Sequence, residues 1–271
     1  MNELALFAGA GGGILGGHLL GWRTVCAVEW EQYPASVLCA RQNDKILPPF
    51  PIWDDVPTCD GKPWRGIVDV VSGGFPCQDI SAAGGGAGIT GERSGMWKHM
   101  ARIIGEVRPQ YVFVENSPML TTRGLGVVLA DLSKMGFDAK WGVISAADIG
   151  ANHQRERIWI RAKQRDVFSH SEHNGHRRRE QQSESTQEAI GMADTNITFG
   201  KRNGSAFRIQ TRHSINNFTN LYTKSANSEW WQIEPKLDRV VDGVAARVDR
   251  LKAIGNGQVP LCAATAWELL A

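Results

Sequence analysis

A cysteine on a stiff turn is the first candidate for chemistry in this sequence. Residues 70–81 read V-V-S-G-G-F-P-C-Q-D-I-S, and the β-branched start predicts a buried strand that stops at the two glycines. Pro76 fixes its own φ and favours an extended residue before it, so the turn that carries Cys77 should be rigid. A thiol held in this way can act as a nucleophile. A buried structural cysteine is the alternative, and it is the commoner role of a single cysteine.

Two other segments carry charged residues that suit the same chemistry. Glu115 follows a predicted strand over residues 111–114, at the carboxyl edge where α/β proteins place their sites. Arg155 and Arg157 are two residues apart, and on an extended chain such side chains lie on the same side. Two guanidinium groups there could hold a phosphate and a carbonyl oxygen together. An ion pair with Glu156 is the alternative for one of them.

The N-terminal segment predicts a nucleotide-binding turn. A strand at residues 4–7 runs into A-G-A-G-G-G at residues 8–13, and a helical pattern follows to residue 20. Glycines let the backbone approach a ligand closely, and the helix N-terminus offers unpaired N–H groups. A second strand ends at Glu29 and Trp30, where the carboxylate could bind ribose hydroxyls and the indole could stack on an adenine. A solvated acid and a packed tryptophan are the alternative.

The remaining pattern alternates between helix and strand. Further helices are predicted at residues 32–42, 96–107 and 126–135 and near the C-terminus, and further strands at about residues 52–55 and at 140–145. Such alternation predicts an α/β fold with a doubly wound, mostly parallel sheet.

Two segments interrupt this alternation. The glycine-rich residues 81–95 suit a mobile lid that excludes water, and a disordered surface loop is the alternative. Residues 165–235 are polar and include Arg177-Arg178-Arg179, which suits contacts to phosphates and base edges. A disordered linker is the alternative, because few apolar residues are available for a core.

Composition limits the class of protein. With 271 residues, 42% of them hydrophobic, the chain can bury one large core and carry a smaller appendage. The net charge of +2 requires any basic surface to be local. Five scattered cysteines predict free thiols without disulfides or zinc. The apolar runs are too short to span a bilayer and the chain opens on a strand, so we expect a cytoplasmic protein without a membrane partner.

Taken in chain order, these motifs resemble those of the DNA (cytosine-5-)-methyltransferases. The matching motifs are F-x-G-x-G-G at residues 7–12, P-C at 76–77, E-N-S at 115–117, H-Q-R-E-R at 153–157 and G-N-G at 255–257. Most members of the family have Val at Ser117 and Gln at His153. The resemblance runs from residue 4 to about 161 and resumes from about 239 to the C-terminus.

The resemblance implies a fold, a reaction and partners. The fold is the Rossmann-like sheet of S-adenosylmethionine-dependent methyltransferases, with a catalytic domain at 1–164 and 236–271 and an inserted target-recognition region at 165–235. The reaction is methyl transfer from S-adenosylmethionine to C5 of a flipped-out cytosine in double-stranded DNA, through a covalent bond from Cys77 to C6, with S-adenosylhomocysteine as product and no metal. A monomer acting in a restriction-modification or anti-restriction system is expected.

The resemblance also assigns site residues. The catalytic set is Cys77, Glu115, Arg155 and Arg157. The cofactor-binding set is Phe7, Ala8, Gly9, Gly11, Gly12, Glu29, Trp30, Asp55, Val56, Pro76 and Asn256. Asp55 would accept from the adenine amino group, with Asp54 as the alternative in register, and Asn256 would complete the pocket beside a C-terminal helix packed on the first helix.

Three other classes of protein share part of this pattern. A nicotinamide-dependent oxidoreductase would share the first glycine turn, but it has no use for Pro76-Cys77 together with Glu115. A cytosine-5 RNA methyltransferase would use the same chemistry on another substrate. A non-catalytic DNA-binding relative would keep the fold, although every catalytic position is filled here.

Overall fold

The computed structural model describes residues 1–76, 95–165 and 247–271. Cys77, most of the predicted lid and residues 166–246 of the predicted recognition region and its C-terminal flank therefore lie outside the described residues. The strands are β1 (Asn2–Leu6), β2 (Arg23–Val28), β3 (Ile52–Trp53), β4 (Val70–Gly73), β5 (Tyr111–Asn116), β6 (Phe137–Ile144) and β7 (Arg157–Gln164). The helices are α1 (Gly12–Leu19), α2 (Gln32–Asn43), α3 (Met96–Val107), α4 (Leu120–Arg123), α5 (Leu125–Lys134), α6 (Arg247–Asn256) and α7 (Pro260–Leu269).

The described strands form one seven-stranded sheet in the order β3-β2-β1-β4-β5-β7-β6. Strands β3, β2, β1, β4 and β5 are parallel, and β7 is antiparallel to both of its neighbours. The order reverses between β1 and β4, so the carboxyl ends of these strands border the crevice where open α/β sheets bind ligands. The predicted mostly parallel sheet is confirmed.

Helices cover both faces of the sheet. Leu4 and Leu6 point to the face covered by α3 and α5, where a large apolar cluster is buried. Ala5, between them, points to the opposite face and packs with Ile14 of α1 and Leu38 of α2, as the two-residue period of a strand requires. Helix α7 covers the same opposite face, through a cluster that includes Trp267. The doubly wound arrangement is therefore confirmed as well.

Several element ends differ from the sequence prediction, and two of them bear on the site. Strand β5 continues two residues beyond its predicted end, because Glu115 and Asn116 pair with β7. Helix α6 includes Gly255 and Asn256, so the predicted Gly-Asn-Gly turn is wrong in its first two residues. The Gly257 N–H donates to the Ala253 carbonyl at 2.9 Å and closes a last helical turn, which leaves only residues 257–259 as the connection to α7.

The end of β7 is attached to its neighbours. Arg165, the first residue of the predicted recognition region, donates to the Ser133 carbonyl at 2.9 Å and lies 3.1 Å from the Asp138 carboxylate.

Among the residues described, no helix is long and apolar enough to cross a membrane.

A buried carboxyl group on β1 makes stability depend on pH. Glu3 accepts from the Thr24 hydroxyl at 2.7 Å and from the Ser72 hydroxyl at 2.6 Å. Burial raises the pKa of Glu3 from 4.5 to about 7, against the lowering effect of these two hydrogen bonds. The folded protein thus holds this proton more tightly than the unfolded chain does.

We expect the Glu3 contribution to stability to be complete below pH 4.5 and to be lost as the pH rises through about 7. The full difference is at most about 3 kcal/mol. The Glu3→Gln variant should lose less stability between pH 4.5 and 8 than the wild-type protein, as measured by urea unfolding across that range. Parallel pH dependence in the two proteins would contradict this role for Glu3.

Candidate active site

The turn after β1 is shaped to admit a ligand. Phe7, Gly9 and Gly11 have φ values of 52°, 55° and 90°, in the left-handed region. A Cβ atom at Gly9 would find none of the described residues within 4 Å, whereas one at Gly11 would lie 2.8 Å from Leu38. The turn therefore packs on α2 at Gly11 and opens onto free space at Gly9.

Glu29 is fixed beside this free space. Its Oε2 accepts from the Gly9 N–H at 2.6 Å and its Oε1 from the Glu31 N–H at 2.8 Å. Burial raises the pKa of Glu29, and the two backbone N–H groups act in the opposite direction. The carboxyl group is almost fully buried in the folded chain, so the alternative of a solvated acid is wrong.

Trp30 is exposed to solvent, unlike Glu29 before it. Its side chain is 74% exposed, so the alternative of a packed tryptophan is also wrong. Trp53, at the end of the adjacent strand β3, is 48% exposed, and its Nε1 donates to the Thr58 hydroxyl at 3.1 Å. Sequence reasoning did not single out Trp53, although its position before Asp54 at the end of a predicted strand was a usable signal.

The predicted adenine-binding segment divides between surface and core. Asp55 is half-buried and Asp54 is exposed. Val56 is 4% exposed and belongs to the main apolar cluster. Among residues 54–56, only the two Asp side chains are therefore available to a ligand. The predicted contact to Val56 cannot use the Val56 side chain.

Asn116 anchors the turn that leads from β4 to Cys77. Its Nδ2 donates to the Phe75 carbonyl at 3.0 Å, and its Oδ1 accepts from the Ser117 N–H at 2.8 Å. The residue is 2% exposed. Because both hydrogen bonds are buried or partly buried, Asn116 fixes the chain immediately before Pro76. Sequence reasoning assigned no role to Asn116, despite its position beside Glu115.

Glu115 lies buried at the carboxyl end of β5. Its Oε1 is 2.8 Å from Arg157 Nε, and its carboxyl group also accepts from the Gln258 side chain. Burial raises the pKa of Glu115, while the charges of Arg157 and Arg155 and the hydrogen bonds lower it. A carboxyl group whose pKa is raised by burial is suited to give a proton to a ring nitrogen.

The two arginines have different hydrogen-bond partners. Arg155 has a φ of 40°, so the chain is not extended there, although the charges of both arginines act on Glu115. The Arg155 guanidinium donates to the Gly255 carbonyl at 2.8 Å and to the Gly257 carbonyl. Arg157 instead binds Glu115 and donates to the Glu156 backbone carbonyl at 2.8 Å.

The C-terminal segment packs against the first glycine turn. A Cβ atom at Gly12 would lie 2.1 Å from the Gln258 carbonyl oxygen, and one at Gly16 would lie 2.7 Å from the Ala263 Cβ. Helix α7 therefore lies directly beside α1, which confirms that part of the prediction. Asn256 is exposed at the end of α6. Gln258, which sequence reasoning did not select, forms a hydrogen bond with Glu115.

The sequence matches one known protein family over most of its length. The profile of the family described as C-5 cytosine-specific DNA methylase matches residues 1–258, and the chain belongs to that family. It is similar to the Type II methyltransferases M.CviJI of Paramecium bursaria Chlorella virus IL3A (33% identity over 61% of this chain and 44% of the relative) and M.HaeII of Haemophilus aegyptius (32%, 59% and 49%). It is also similar to M2.BsuMI of Bacillus subtilis strain 168 (30%, 64% and 46%). The chain spans about half the length of these curated relatives.

Solved structures support the fold alone. The methyltransferase EhMeth of Entamoeba histolytica superposes with a TM-score of 0.52 at 18% identity, over 68% of this chain and 57% of that one. A mutant of Spodoptera frugiperda DNMT2 superposes with a TM-score of 0.50 at 18% identity, over 62% and 51%.

Proposed function

We propose that this protein transfers a methyl group from S-adenosylmethionine to C5 of a cytosine in double-stranded DNA. The observation that carries the proposal is the meeting, at one edge of the sheet, of the Gly9–Glu29 hydrogen bond, the turn leading to Cys77, and buried Glu115 with Arg157. Family membership supports the same reaction. Action as a monomer within a restriction-modification or anti-restriction system is part of the proposal.

The cofactor site is proposed along the ends of β1, β2 and β3. The fit rests on the free space at Gly9, the fixed carboxyl group of Glu29 and the exposed indole of Trp30. The full set is Phe7, Ala8, Gly9, Gly11, Gly12, Glu29, Trp30, Asp55, the backbone of Val56, Pro76 and Asn256. When bound, S-adenosylmethionine supplies an electrophilic methyl group, and the proposal assigns no step to a metal.

Trp30→Ala should weaken binding of S-adenosylmethionine by about 1–3 kcal/mol, because base–aromatic stacking has that magnitude. Isothermal titration calorimetry measures the change. Trp141→Ala is the control, since Trp141 is also partly exposed, at 37%, but lies on edge strand β6. Wild-type affinity in a folded Trp30→Ala protein would remove Trp30 from the site.

The proposed chemistry divides between a nucleophile and an acid. A stacked cytosine must leave the duplex before its ring can be attacked. The Cys77 thiolate then adds to C6 while Glu115 donates a proton to N3, and C5 becomes electron-rich enough to be methylated. A base removes the C5 proton, the C6–S bond breaks, the thiolate leaves with its electron pair, and N3 returns its proton to the Glu115 carboxylate. Arg157 holds the Glu115 carboxyl group throughout.

Recognition of a DNA sequence is proposed for residues 165–235, whose basic and amide side chains suit phosphates and base edges.

Arg155, which the resemblance assigns to catalysis, holds the turn between α6 and α7 in the folded chain. We therefore propose that Arg155 acts on the substrate site through this turn and through its charge near Glu115.

Tritium transfer from labelled S-adenosylmethionine tests the function. The protein should label duplex DNA and leave RNA unlabelled, and bisulfite sequencing should place the methyl group on cytosine. Glu115→Gln should lower the rate by about 10²- to 10⁴-fold, because an amide cannot donate the proton. Glu268→Gln, on the exposed surface of α7, should retain activity. Labelling of RNA in preference to DNA would overturn the substrate assignment.

A further inference from the structure

Gln258 occupies a narrow slot between the two ends of the chain. It lies in the connection between α6 and α7, and its backbone carbonyl would be 2.1 Å from a Cβ atom at Gly12. Its side-chain Oε1 would be 2.4 Å from a Cβ at Gly13, and its Nε2 would be 3.0 Å from a Cβ at Gly74. A Cβ atom at Gly12 would clash with a backbone atom, so the Gln258 backbone can approach there only because residue 12 is a glycine. The glycines at 13 and 74 leave room for the Gln258 side chain.

The amide end of Gln258 meets the proposed catalytic acid. Gly74 lies next to both the Gln258 amide and the Glu115 carboxyl group. A Cβ atom at Gly74 would also be 2.5 Å from Glu115 Oε2. The Gln258 side chain forms a hydrogen bond with the Glu115 carboxyl group, and Nε2 is the atom that can donate to it. The Arg155 guanidinium donates to the Gly255 and Gly257 carbonyls and so holds the turn that carries Gln258.

We propose that Gln258 is a positioning residue for Glu115, which holds the carboxyl group in the orientation that presents its proton to the substrate ring. This inference rests on the proposed function. Arg157 binds the carboxyl group from the side of β7, and Gln258 binds it from the side of α1, so the two donors together define its orientation. Gln258 also contacts the start of α1, next to the turn proposed to hold the cofactor. The orientation of the acid is thereby tied to the position of that turn.

The charged groups around Glu115 stay in place when Gln258 is replaced. Arg155 and Arg157 face it with permanent positive charges, and Cys262 of α7 faces it as a neutral thiol whose burial raises its pKa to about 12. Glu3 lines the same small cavity as Glu115. Gln258 is a neutral donor, so replacing it changes one hydrogen bond and leaves the charge of the site unchanged. Loss of a donor to the ionised form should raise the pKa of Glu115 further.

The test compares Gln258→Met, which keeps the length of the side chain and removes the donor, with Gln110→Met, an exposed glutamine before β5. In Gln258→Met, kcat for DNA methylation should fall about tenfold, the magnitude of one hydrogen bond to a charged group. KM for S-adenosylmethionine should stay unchanged. The alkaline limb of the kcat–pH profile should move to higher pH, because the acid keeps its proton longer. Gln110→Met should match the wild-type protein in kcat, in KM for S-adenosylmethionine and in the kcat–pH profile.

A second measurement does not depend on activity. The pKa of Glu115, followed by carbon-13 NMR of its carboxyl carbon and assigned with Glu115→Gln, should be higher in Gln258→Met than in wild type. Gln258→Asn retracts the amide by one carbon with less risk to folding, and it should shift the pKa in the same direction. An unchanged pKa and pH profile in either folded variant would overturn the role of Gln258. Failure of the wild-type protein to methylate DNA would instead overturn the proposed function.

Discussion

Cys77→Ala should abolish methyl transfer to DNA. Alanine offers no atom that can add to C6, and without that addition C5 of cytosine is too poor a nucleophile to accept a methyl group. Binding of DNA should survive, because contacts to phosphates supply most of the affinity. The measurement is tritium transfer at saturating substrate, with DNA binding followed by fluorescence anisotropy at fixed salt. Cys39→Ala is the matched control, since Cys39 is an exposed free cysteine on α2.

DNA that carries 5-fluorocytosine at the target extends this test to the covalent bond. Fluorine occupies the position from which a proton must leave, so the methyl group can be added but the thiolate cannot be eliminated. The adduct joins Cys77 to C6 by a thioether, and it should survive denaturing electrophoresis and require S-adenosylmethionine for efficient formation. Cys77→Ala should form none, whereas Cys39→Ala should form as much as wild type. Methylation by a Cys77→Ala protein would show that Cys77 is a structural thiol.

Gly12→Ala should disrupt the packing of the chain ends. The added Cβ would lie 2.1 Å from the Gln258 carbonyl oxygen, a backbone atom that cannot rotate away as a side chain could. The turn that carries Gln258 is also held by Arg155, so relief requires α1 and α7 to separate. We expect the free energy of unfolding to fall by about 3 kcal/mol, as measured by urea denaturation.

Gly126→Ala is the matched control for that substitution. Gly126 is the second residue of α5, and a Cβ atom there would find no atom within 4 Å in the part of the chain that the structure describes. Alanine is preferred to glycine in a helix, so this variant should be at least as stable as wild type. Equal stability changes in Gly12→Ala and Gly126→Ala would mean that the contact between Gly12 and Gln258 does not constrain the fold.

The sequence by itself determined the local elements and the order of the motifs. Helix α3 begins at Met96 and ends at Val107 as predicted, because its apolar face repeats with the helical period and Pro109 prevents continuation. The glycine turn, which ends where α1 begins at Gly12, and the strand before Glu29 were also predictable, since their signals are glycine content and β-branched runs. Each of these features depends on interactions between residues that are close in sequence.

Only the tertiary structure decided which of the candidate residues meet. Arg155 and Arg157 have different hydrogen-bond partners because Arg155 has a positive φ and binds the C-terminal turn, and a spacing of two residues cannot report a backbone angle. Asn116 became a buried anchor because β5 extends to pair with β7. Gln258 meets Glu115 because α7 packs beside α1 across three glycines. These contacts join residues far apart in sequence, and their register depends on side-chain packing between elements, which a local pattern does not contain.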